Sequence, residues 1–195
     1  YKSFFATPRD QTTWLKLHHR NLYTAGHRTD VSRECRACGD KESQLHLAQC
    51  SKMQEGFWKH IVQLLIDAGA MMSPGPSDLE LFILFARIDD NVYLHNNYNG
   101  LMFIAWRCIY AEIQRARAEE ASMQMDIALA RAVDLTVSRL NAYGHKWEQW
   151  VRNGEHMKQR RVIPRKHWNK GLLSQEASGE FTLHERLMQL WEQQK

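Results

Sequence analysis

With 195 residues, 44% of them hydrophobic, and a formal net charge of +4, the chain is long enough to bury a core and too apolar for a charge-expanded disordered segment. Ten glycines and four prolines are too few for the frequent turns of an all-β fold, which leaves a mainly helical one. The mild basic bias permits nucleic-acid contact without demanding it, and the longest apolar run, Leu101 to Trp106, stops at Arg107, far short of the roughly 20 residues of a membrane span.

In chain order, residues 1–9 read as irregular up to Pro8. Trp14, Leu15, Leu17 and Leu22 predict a short helix over 11–24 that Gly26 ends. The stretch 30–52 is polar and lacks an apolar period, as expected of a segment organised by a metal. Phe57, Trp58, Ile61, Leu64, Leu65 and Ala68 recur at helical spacing and predict an amphipathic helix over 53–69. Met72 to Pro76 is a break, after which Ser77 and Glu80 form a capping box for a helix over 77–88. Residues 89–99 are polar and Asn-rich, hence a loop.

Two long helices follow. The first, over 98–119, is apolar nearly all round from Leu101 to Ile113 and is expected at the centre of the fold. The second, over 122–152, carries Leu129, Val133, Val137, Leu140, Tyr143, Trp147 and Trp150 on one side. Gly144 within it costs about 1 kcal/mol relative to Ala. Beyond Gly154 the chain turns basic, and a last amphipathic helix is expected over 182–193 through Leu183, Leu187, Leu190 and Trp191. The predicted architecture is mainly α: an N-terminal helix and a small CCHC zinc knuckle (1–52), a multi-helix bundle (53–152), and a basic C-terminal extension ending in a short helix (153–195).

The metal motif is Cys35-Arg-Ala-Cys38-Gly39, followed by His46 and Cys50. Two residues between the first cysteines form a tight turn that aims both sulfurs at one point, and Gly39 tolerates the positive φ that such a knuckle needs. His46 and Cys50 lie four residues apart, about one helical turn, and share a face. Three thiolates and an imidazole saturate tetrahedral zinc and leave no position for water or substrate, so one structural Zn2+ is expected on Cys35, Cys38, His46 and Cys50. The alternatives are ordinary buried cysteines beside a surface histidine, or His60 in place of His46. Cys108, alone on the apolar helix, reads as a small core residue. The clustering of three cysteines argues against a spread-out disulfide framework and for an intracellular, reducing compartment, with nucleus, cytoplasm and organelle not distinguished.

The run Trp14-Leu15-Lys-Leu17…Thr24…Arg28…Cys35-x-x-Cys38-Gly39…Glu42-Ser43…His46-Leu47…Cys50…Trp58 resembles the zinc-binding region that follows the reverse transcriptase domain in non-LTR retrotransposon proteins, over residues 11–66. Leu101 to Arg107 resembles a tryptophan-bearing helix found downstream in those proteins. The resemblance implies that His46 and Cys50 form the second ligand pair and that Trp14 and Trp58 pack beside the knuckle. Family members often have one more residue before the histidine and between it and the last cysteine. The chain shows no Tyr-x-Asp-Asp motif and no endonuclease constellation, and Asp89-Asp90 sits between a helix end and an Asn-rich loop. A non-catalytic accessory region is therefore expected.

RNA or DNA contacts are expected from Arg33, Arg36 and Lys41 beside the knuckle, from Lys16, His19, Arg20 and Arg28 before it, and from Lys158, Arg160, Arg161, Arg165, Lys166 and Trp168 in the tail. A solvated basic linker is the plainer reading of the tail. The alternative function is a domesticated, retroelement-derived structural subunit of a large complex such as a ribonucleoprotein. Its protein partners would dock on the Trp-rich helices and on the C-terminal helix, with Trp58, Trp106, Trp147 and Trp150 read as core or interface anchors.

Overall fold

The computed structural model describes residues 6–19, 24, 33–69, 79–86, 96–152, 171–175 and 181–194. The fold is mainly helical, with a cysteine-rich turn early in the chain ahead of most of the helices. Helix α1 spans Pro8–His18 and starts earlier than its apolar period predicts. Thr7 accounts for this: it is the N-cap, Pro8 takes the first helical position, and Asp10 completes a capping box by accepting from the Thr7 amide at 2.7 Å.

Helices α2 (Gln44–Gln49) and α3 (Ser51–Met53) run into a π turn over Gln54–Trp58 and then α4 (Lys59–Asp67). The predicted helix over 53–69 thus begins a little earlier and is widened near its start. That turn brings the consecutive Phe57 and Trp58 both into the core. Gly56 within it faces Met125, and an added Cβ would stand 3.0 Å from Met125 Cβ. Helix α5 covers Leu79–Phe85; the Ser77 half of the predicted capping box and the Asp89-Asp90 pair lie outside the described residues.

Helices α6 (Asn96–Ala118) and α7 (Met125–Arg152) form a long antiparallel hairpin around which the rest assembles. As its composition predicts, α6 is central: every residue from Leu101 to Trp106 is buried. Trp106 packs against Trp58 in a tilted pair with ring centroids 4.8 Å apart, and its indole N–H donates to the Ile83 carbonyl at 2.7 Å. The hairpin turn is held by the buried Glu112 carboxylate, which accepts from the Gln124 amide at 2.7 Å and from Arg115 at 2.6 and 2.9 Å. A second buried carboxylate, Asp10, receives Arg107 of α6 at 2.8 Å and also Arg139 of α7, joining three helices at one point.

Beyond α7 the C-terminal extension contains a strand pair that its sequence does not predict. Strands β1 (Leu173–Gln175) and β2 (Phe181–Leu183) pair antiparallel with Leu173 opposite Leu183. Phe181 explains Gly144: a Cβ at that helix position would come within 3.3 Å of the Phe181 Cβ, so the glycine admits the strand. The last helix, α8, spans Glu185–Glu192 behind the N-cap His184. Its Leu187 and Leu190 are buried against this chain's own α7 and α4, and the Trp191 indole donates to Asp134 of α7 at 3.2 Å. Among the described residues no helix is long and apolar enough to cross a membrane.

Candidate metal centre

The segment from Arg33 to Glu42 doubles back on itself. Glu34 bridges Lys41, the Glu42 amide donates to the Arg33 carbonyl at 2.8 Å, and the Cys35 amide donates to the Asp40 carbonyl at 2.6 Å. The turn closes through the Gly39 amide on the Cys35 carbonyl at 2.8 Å, and Gly39 takes φ +87°, the left-handed conformation expected of a glycine there. The Ala37 amide points at the Cys35 sulfur from 3.4 Å.

Ser43 then starts α2. Its hydroxyl accepts from the His46 amide at 3.0 Å, an N-cap that fixes the histidine in the first turn of the helix. One turn on, the Cys50 amide donates to the His46 carbonyl at 2.7 Å, so both side chains face the knuckle.

The donor atoms of Cys35, Cys38, His46 and Cys50 all lie within 4.8 Å of one another, and Cys38 Sγ is 3.3 Å from His46 Nε2. Donors at tetrahedral corners around one ion with ordinary Zn–S and Zn–N bond lengths stand about 3.3–3.8 Å apart. The group could therefore hold a metal ion with little rearrangement. His60 is not part of it.

Cys35 and Cys50 are buried, while Cys38 and His46 are half-buried. A hydrogen bond to Cys50, aided by burial, pushes the Cys35 thiol up to about 12; the same bond lowers the Cys50 thiol. Burial raises Cys38. Ligation by a metal requires these thiols to give up their protons, so loading of the site is expected to be pH-dependent. Cys108 lies elsewhere, in the apolar core, where burial pushes its thiol up to about 11.

One contributor left no mark in the local pattern. Glu42, 1% exposed, forms an ion pair with Arg117 of α6, whose side chain is 7% exposed. With the Met123 amide donating to the Arg36 carbonyl at 3.4 Å, this pair ties the knuckle to the α6–α7 hairpin. The separation of 75 positions from Glu42 to Arg117 hides such a pairing from any windowed reading.

The other expected site residues divide as follows. Arg33 and Lys41 are exposed beside the metal group, and Arg36 is half-buried there. Lys16 and His19 are exposed on or just after α1. Arg20, Arg28, Lys158, Arg160, Arg161, Arg165, Lys166 and Trp168 lie outside the described residues, as do the side chains of Trp147 and Trp150. Trp14, Trp58 and Trp106 are fully buried in this chain's own core and offer no surface to a partner. No protein-family model matches the chain, and comparison with curated proteins and with solved structures finds no match.

Proposed function

We propose that this chain is a non-catalytic module that folds around one structural zinc ion and binds single-stranded RNA or DNA, of the kind that follows the reverse transcriptase domain in non-LTR retrotransposon proteins. Zinc suits the donor set: three thiolates and an imidazole match its preference for sulfur and nitrogen in tetrahedral geometry. With four protein donors the ion holds residues 33–50 in place and takes no part in a reaction. The observation that supports the binding role is that Arg33 and Lys41 are exposed, and Arg36 half-exposed, on the short segment that carries Cys35 and Cys38. A phosphate backbone is the partner such fixed cations suit.

Fluorescence anisotropy of the zinc-loaded protein with a short labelled single strand, titrated with salt, tests this. Three phosphate contacts on a single strand predict a slope of log affinity against log salt near −2. Replacing Arg33, Arg36 and Lys41 by Ala flattens that slope. Absence of binding at low salt, together with recovery of the native protein in a stable stoichiometric complex, replaces this reading with that of a structural subunit.

A further inference from the structure

A groove of about 560 Å3 opens between α1, α2 and α5, next to the metal centre but separate from it. Leu17 and Leu84 line it deep down; Leu45, 50% exposed, and Phe85, 38% exposed, form its walls; Gln44 and Glu80 form its polar edge. Its size is that of a small-ligand pocket, and its lining combines an apolar floor with a few polar groups. We propose that this groove takes one unstacked nucleobase of the bound strand. The inference rests on the nucleic-acid reading above and adds to it where a base, as opposed to a phosphate, is held.

Three features point to a base. The first is an aromatic wall: His18 meets Phe85 edge to face at 5.4 Å and fixes its ring, leaving part of Phe85 open for stacking. The second is charge. Glu80 at the edge repels phosphate, so the ring end of a nucleotide enters. Gln49 steadies that carboxylate by donating to Oε2 at 2.9 Å, and the other oxygen can accept from an exocyclic amino group. The third is position. Ser43 of the groove lies two residues after Lys41, about 7 Å along an extended chain, so a phosphate on Lys41 or Arg33 leaves its base beside the opening.

The test uses the full zinc-loaded chain and two labelled DNA single strands of equal length, one ordinary and one abasic, with identical phosphates. Wild type is expected to bind the ordinary strand about tenfold more tightly. Phe85→Leu loses about that factor on the ordinary strand and nothing on the abasic one, with zinc content unchanged. Oligo(dC) is preferred to oligo(dT), and Glu80→Ala, which leaves no acceptor at the groove edge, removes that preference. Equal binding of ordinary and abasic strands by wild type overturns the groove assignment while the nucleic-acid reading stands. No binding of either strand overturns both. A concentration-dependent dimer that Phe85→Leu dissolves would assign the groove to a second copy of the chain and also overturn the proposal.

Discussion

Replacing Glu42 by Gln keeps the shape of the side chain and removes its charge from a place that water does not reach. Glu42 is 1% exposed and the Arg117 side chain it meets is 7% exposed, so the substitution leaves a guanidinium desolvated without its counter-ion. Removing one member of a buried pair costs about 3–5 kcal/mol, and the lower end applies here because the glutamine carbonyl can still accept from Arg117. For a chain of this length, about 3 kcal/mol corresponds to a melting temperature lower by roughly 6–12 °C.

The same pair anchors the return strand of the knuckle, so Glu42→Gln should also lose zinc faster to a chelator. Urea unfolding of the zinc-loaded protein measures the first effect and a chromogenic chelator the second. Substituting both partners, Glu42→Met with Arg117→Met, removes the stranded charge and should recover most of the lost stability. A single-variant loss below about 1 kcal/mol, or a double variant as unstable as the sum of its parts, refutes the assignment of this pair as the clamp between knuckle and hairpin.

Asp10 contributes to the acid sensitivity of the fold. Burial alone would raise its carboxyl, but hydrogen bonds from Arg107, Thr7 and Arg139 together outweigh that and hold it below the usual carboxylate range. Its contribution is therefore present above the unfolded value near 3.9 and lost as pH falls through the lower folded value. Wild type should lose stability below about pH 4 more steeply than Asp10→Asn, with the variant less stable at neutral pH, as acid titrations of unfolding would show. Gly39→Ala should cost about 1–2 kcal/mol from backbone strain alone, because φ is +87° while nothing lies within 4 Å of the added methyl. Gly39→Asn should cost less, and equal losses for the two in urea melts would contradict strain as the cause.

The metal group was legible in the sequence because ligation is local: a Cys-x-x-Cys turn and a His-x-x-x-Cys helical turn each pre-arrange two donors within a few residues. The helical bundle was legible for the same reason, since Leu101 to Trp106 and the stripe from Leu129 to Leu140 repeat at short range. The start of α1 was missed because the apolar period begins at Trp14, whereas the helix is started by Thr7 and Asp10, which are polar. Strands of three residues, paired across the chain at Leu173 and Leu183, are too short to show an alternation. The three ion pairs that bind knuckle and α1 to the hairpin join residues between 75 and 129 positions apart. Each gives a reason for a charged residue that the sequence presents without one. Glu42 stands next to the N-cap Ser43, and only the fold shows that the first faces inward to Arg117 and the second caps the helix carrying His46.

The proposed role of this chain depends on the ion. Elemental analysis of the protein purified without added metal, set beside Cys35→Ser and Cys50→Ser, measures it directly. One zinc per chain in wild type and well under half of that in either variant, with loss of cooperative unfolding, is the predicted result. Zinc content and folding that do not change between wild type and the two variants would contradict the site at Cys35, Cys38, His46 and Cys50.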